Sequence, residues 1–138
     1  MVSVEALIGS VEKVKTFEKK VSKGMKITLC GSGRFWDDFD VYESELSRAG
    51  HIVYILGDRL VNYTNHTSVP EDEHLEHKET LDLVHLAKIM NSDCVVVVRG
   101  NEYIGESTRR EIKWARILGK SVYMNLDNFC RHIASATF

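Results

Sequence analysis

Ser92-Asp93-Cys94-Val95-Val96-Val97-Val98 is the stretch on which the fold turns. Four consecutive valines leave no polar face. A run of this kind suits a strand covered on both sides, the position of a central strand in a parallel sheet. Downstream, Thr108 to Leu118 places Ile112, Ala115 and Leu118 on one helical stripe, and Gly119 closes it. Ser121 to Asn125 follows as another strand, and Asp127 to Ala134 as a last short helix. Upstream, Lys78 to Met90 carries Leu81, Val84, His85 and Ile89 at helical spacing.

The first half of the chain repeats this alternation. Lys26 to Cys30 is a short apolar strand that runs into the turn Gly31-Ser32-Gly33. Phe35 to Ala49 repeats apolar residues every three or four positions and stops at Gly50, and His51 to Leu56 is a strand ended by Gly57. The single proline, Pro70, falls in a long connection from Gly57 to Glu76. Connections of that length in a compact domain are usually functional lids or disordered. The order β-α-β-α-β-α-β predicts a flavodoxin- or Rossmann-like open parallel sheet of about four to five strands with helices on both faces. Such sheets bind ligands outside the carboxyl ends of the strands, where the strand order reverses. Here that places the site at the ends of the first and third strands.

Residues 1–24 read as an N-terminal extension and 25–138 as the α/β domain, with Met25 a candidate start of the domain proper. Within the extension Val4, Leu7, Ile8, Val11, Val14 and Val21 recur at spacings of three and four among Lys and Glu, which predicts an amphipathic helix. Its apolar stripe covers either the sheet of its own domain or a second subunit. The chain has 138 residues, 43% of them apolar and 28% charged, enough for one domain with a real core. A net charge of −2 gives no bulk attraction to nucleic acid or to anionic membranes. The apolar runs are too short to span a bilayer, and Glu5, Glu12, Lys13 and Lys15 interrupt any signal-peptide core. Cys30, Cys94 and Cys130 form no C-x-x-C. Cys30 and Cys94 lie inside strand-like runs, so buried reduced thiols and a cytoplasmic location are expected.

Two segments reach the predicted site. Gly31-Ser32-Gly33-Arg34 can present backbone N–H groups to an anion, helped by the start of the next helix, and is equally compatible with a plain tight turn. Gly105-Glu106-Ser107-Thr108-Arg109-Arg110-Glu111 holds a capping-box pattern, Thr108-x-x-Glu111, which alone would account for Glu111. Two arginines in a first helical turn oppose the helix dipole, and a bound anion or a pairing with Glu106 would offset them. His74, His77 and His85 with Glu71, Asp72 and Glu73 have no zinc-site spacing, so no metal and no cofactor is expected. The basic set Arg109, Arg110, Lys113, Arg116 and Lys120 is balanced by Glu106 and Glu111, which argues against a nucleic-acid surface. His85 has the plain reading of a packed core histidine.

Together, Ile27-Thr-Leu-Cys-Gly-Ser-Gly-Arg34, Asp82-Leu-Val-His-Leu-Ala-Lys-Ile89, Ser92 to Val98 and Tyr103-Ile-Gly-Glu-Ser-Thr-Arg-Arg-Glu-Ile-Lys-Trp-Ala115 resemble the nucleoside 2-deoxyribosyltransferase-like superfamily. This group includes the deoxyribosyltransferases and the 2′-deoxynucleoside 5′-phosphate N-hydrolases. The resemblance covers about residues 26–125. It implies that Glu111 stands where the family has its nucleophilic glutamate. It implies that Gly31, Ser32, Gly33 and Arg34 hold a 5′-phosphate, with Ser107, Thr108 and Arg109 adding ligand contacts. The family acid on the helix before the third strand falls at His85, with Asp82 one turn away. Leu29 replaces the transferase aromatic, and Arg109 and Arg110 replace small residues, so the chain looks like a divergent branch. The implied activity is hydrolysis or transfer at the N-glycosidic bond of a nucleoside or nucleotide. The alternative is a sensor that binds a nucleotide or an ADP-ribose-like molecule without chemistry. A third possibility is an interaction protein whose N-terminal helix is the partner surface. The resemblance also implies a homodimer or higher homo-oligomer, because in the family a neighbouring subunit completes the site.

Overall fold

The computed structural model describes residues 3–20, 24–56 and 71–136. The elements in chain order are α1 (Val4–Lys20), β1 (Lys26–Cys30), a 3-10 turn (Gly33–Phe35), α2 (Trp36–Arg48), β2 (Ile52–Ile55), α3 (Glu71–Met90), β3 (Cys94–Val97), α4 (Glu106–Ile117), β4 (Ser121–Tyr123) and α5 (Leu126–Ala136). The four strands form one parallel sheet in the order β2-β1-β3-β4. The order reverses between β1 and β3, where Ile27 faces Cys94 and Cys30 faces Val97. The valine run is buried throughout, as a strand flanked by two others and covered on both faces must be.

Each face of the sheet has its own core. On one, Ile27, Leu29, Val96 and Val98 pack with Phe39, Tyr42 and Leu46 of α2 and Phe129 of α5. On the other, Cys30, Val95 and Val97 pack with Ile89 of α3 and with Ile112 and Ala115 of α4. Alternate residues of β1 and β3 thus serve opposite layers, the period-two geometry of a strand. Asp93 has a local task. Its carboxylate accepts from the Lys26 backbone N–H at 2.7 Å, and its own N–H donates to the Lys26 carbonyl at 2.7 Å. This fixes the register of β1 against β3. Thr28, fully buried in β1, is satisfied by the Ser92 hydroxyl and the Lys88 carbonyl.

Two expectations change, and one alternative left open for α1 is not seen. α3 begins at Glu71, well before Lys78, so only 57–70 of the expected connection fall outside the described residues. Its apolar residues lie all round the helix rather than on one stripe, with Ile89 buried and Leu83, Val84 and Met90 exposed, so periodicity marks its start poorly. α4 begins at Glu106, with Gly105 as its N-cap. The α1 stripe does not cover the sheet. Val4, Leu7, Ile8, Val11 and Val14 are 43 to 69% exposed.

Cys30 and Cys94 are buried free thiols, whereas Cys130 is free and exposed. No described helix is long and apolar enough to cross a membrane.

Candidate functional site

The C-terminal end of β1 is shaped by Gly31. Its φ of 153° is open to glycine but costly for other residues. A Cβ there would meet Cβ and O of Val98 at 3.2 Å, so glycine lets the two strand ends lie flush. Ser32 caps the 3-10 turn, its Oγ accepting from the Arg34 N–H at 3.3 Å. That turn, which begins at Gly33, separates Gly31 from the start of α2, whose first turn carries Asp37 and Asp38. The expected help from the α2 dipole is therefore offset by two carboxylates. Arg34 instead reaches across to the loop after β3 and stacks on the Tyr103 ring, 3.5 Å from its centroid. Stacking covers the guanidinium faces and leaves its N–H edges available to an anion.

Glu111 lies on the buried side of α4 and is 5% exposed. The capping box is not formed, because helix α4 starts one turn earlier than the pattern implied. Gly105 makes no side-chain cap, Thr108 is buried inside the helix, and the Arg109 N–H already donates to the Gly105 carbonyl at 3.0 Å. The two arginines therefore sit beyond the first turn, where the dipole penalty fades. Freed from any cap, Glu111 points toward α3. Its Oε2 is 3.8 Å from His85 Nδ1 and has no hydrogen-bond partner among the described residues. A buried carboxylate oxygen without a partner is costly, and natural folds retain few of them. Burial pushes the Glu111 carboxyl up to about 7, against the pull of the Arg110 guanidinium, and Asp82 adds to the rise. Burial raises the Cys30 thiol well above its usual value, and the Glu111 charge contributes.

Asp82 and His85 lie one turn apart on α3 and face α4 together. Asp82 accepts from Arg110 Nη2 at 3.0 Å and from Lys78 Nζ at 2.9 Å. Its carboxyl is held below the ordinary value chiefly by the Lys78 hydrogen bond, with Arg110 assisting. Arg110 also lies over the Trp114 ring at 5.2 Å, and its Nε is buried without a hydrogen-bond partner among the described residues.

The expected residues thus separate into three places. Asp82, His85 and Glu111 meet between α3 and α4, with Arg110 as a member that sequence reasoning left among surface cations. Gly31, Ser32, Gly33 and Arg34 form the β1 turn, joined to Tyr103, and no described hydrogen bond, ion pair or ring contact links Ser32 or Arg34 to Glu111. Ser107 is exposed at the start of α4. Arg109 points away from Glu111 and lines a cavity of about 390 Å³ on the other flank of α4, with Ile104, Ile112, Lys113, Arg116, Ile117 and Met124. It was expected among the ligand contacts with Ser107 and Thr108, and it lies on the flank opposite Glu111, because two residues along a helix rotate the side chain by about 200°.

Arg99, two residues past the end of β3, was not foreseen. Its φ of 49° is left-handed, and its side chain pairs with Asp38 at 3.1 Å and with Glu102, tying the β3–α4 loop to α2. Among the described residues no group of three or more His, Cys, Asp and Glu side chains is placed to hold a metal ion. The side chains of 71–76, including His74, Glu71, Asp72 and Glu73, lie outside the described residues. Comparison with family models, curated proteins and solved structures finds no match to this chain.

Proposed function

We propose that the protein cleaves or exchanges the N-glycosidic bond of a nucleoside or its 5′-phosphate, with Glu111 as nucleophile. One observation carries this reading: a buried carboxylate oxygen without a hydrogen-bond partner among the described residues faces His85 between α3 and α4. The resemblance of the surrounding segments to nucleoside 2-deoxyribosyltransferase-like proteins supports it. In the proposed step the Glu111 carboxylate bonds to C1′ as the C1′–N bond breaks. The bonding electrons pass to the base nitrogen, which takes a proton. Water or a second base then displaces Glu111 from the glycosyl ester. Asp82 suits the proton-donor role poorly, because Lys78 and Arg110 favour its ionised form. His85 is therefore assigned that role. Arg34 would engage the 5′-phosphate with its free edges while stacked on Tyr103.

The test is chromatography of free base after incubation with deoxynucleosides, their 5′-monophosphates and the ribo counterparts. Release from at least one of these is expected, and no release from any of them would overturn the catalytic reading. Arg34→Gln is expected to raise KM for a 5′-monophosphate by about ten- to a hundredfold, the worth of one charged hydrogen bond, and to leave the parent nucleoside unaffected. Equal losses for both would remove Arg34 from phosphate binding. The binding-only reading is favoured by one feature, the rise of Glu111 to about 7. Below neutrality the carboxyl is protonated and donates a hydrogen bond to a ligand instead of attacking it. Nucleotide-dependent thermal stabilisation without free base would identify that case.

A further inference from the structure

We infer that α1 of one copy docks along the outer flank of α4 in a second copy, and that reciprocal exchange of the two helices closes a dimer. The receiving surface is the cavity between α4, the β3–α4 loop and the end of β4. Its floor is apolar, formed by Ile104, Ile112, Ile117 and Met124, and Arg109, Lys113 and Arg116 border it. None of these three cations forms an ion pair with a described residue, and Ile117 is 74% exposed. The inserting surface is the α1 stripe, whose five apolar residues are all exposed.

Charge decides between candidate receivers. On α1, Glu5 and Glu12 border one edge of the apolar stripe, seven residues apart. On α4, Arg109 and Arg116 are also seven residues apart, so both pairs span about 10 Å along their helices. Packed along each other, the helices bring each carboxylate to a guanidinium while the apolar stripe covers the cavity floor. Lys15 lies 3.9 Å from Glu12, an exposed pair that competes weakly. The exposed apolar strip Leu83, Val84 and Met90 on α3 is a poorer receiver. Of the α3 lysines, Lys78 is held by Asp82, and Lys88 donates to the Ile55 carbonyl. A one-way insertion would propagate into filaments, whereas a reciprocal one closes on a twofold axis. The inference is independent of the chemistry at Glu111.

The test uses two charge-reversed full-length variants, Glu5→Lys/Glu12→Lys and Arg109→Glu/Arg116→Glu, with sedimentation velocity as the readout. All four positions are at the surface, and circular dichroism checks that folding is kept. The wild type is expected to sediment as a dimer, and each variant alone to dissociate with a Kd about tenfold weaker. Mixed one to one, both exchanges regain opposite charges, and the dimer is expected to return to near wild-type affinity. A wild type that stays monomeric up to roughly 100 μM would overturn the inference. So would a mixture that does no better than its components, the result expected if α1 docks on its own chain or elsewhere.

Discussion

Glu111→Gln is expected to abolish base release while making the protein more stable. Loss of the nucleophile should lower kcat by about a thousandfold or more, with ligand binding largely retained, because the amide keeps the shape and cannot form the glycosyl ester. The stability gain follows from proton linkage. The folded carboxyl titrates at about 7 and an unfolded glutamate near 4.5, so the folded state binds the proton more tightly. Below the unfolded value both states are protonated and this contribution is fully present. It is lost as pH rises from there through about 7. The full loss is about 3 kcal/mol, which Gln avoids because it does not titrate. At pH 8 the variant should therefore melt roughly 10 °C higher, and at pH 4 the two proteins should melt alike. The same titration sets a kinetic expectation. Attack needs the carboxylate, so wild-type kcat/KM should climb as pH rises through about 7. If Gln lowers the melting temperature at pH 8, Glu111 has a stabilising partner and its Oε2 is not the unpaired oxygen on which the catalytic reading rests.

The second large effect is expected at Gly100. A Cβ on this residue would lie 2.6 Å from Val97 Cγ1 and 2.8 Å from the Met124 carbonyl oxygen. That carbonyl also accepts the Gly100 N–H at 2.8 Å. The chain leaving β3 crosses the chain leaving β4 at van der Waals limit, and one neighbour is backbone that cannot rotate aside. Gly100→Ala should cost about 2–4 kcal/mol in chemical denaturation. Gly105→Ala is the control, since the nearest atom to a Cβ there is 3.8 Å away. As the N-cap of α4 it should cost no more than about 1 kcal/mol. Comparable losses at both sites would mean that helix entry, and not the strand crossing, sets the cost.

What the sequence made legible follows from local rules. Buried valines, glycine stops and helical spacing depend on neighbours in the chain, so the sheet class, the element order and the switch between β1 and β3 could be read directly. The site was half legible. Glu111, His85 and Asp82 were named, and they meet. Arg110 was missed because its partner is on another helix, and no local pattern pairs Arg110 with Asp82. The start of α4 was set one turn late at Thr108, because the apparent capping box made that choice attractive. Tyr103 escaped because its role is the stack beneath Arg34, a contact between two loops.

The strand order also carries a consequence for biosynthesis. β1 has two partners, one of them, β2, nearby in the chain. The other is β3, and the bond from Lys26 to Asp93 spans 67 residues. As the chain emerges from the ribosome, β1 and β2 can pair early. The apolar second edge of β1 then stays bare until residue 98 is out of the exit tunnel. An open edge of that kind invites pairing with other nascent chains. Slow translation while β2 has cleared the tunnel and residue 98 has not should therefore lower the soluble yield, whereas a pause after residue 98 has cleared it should be harmless.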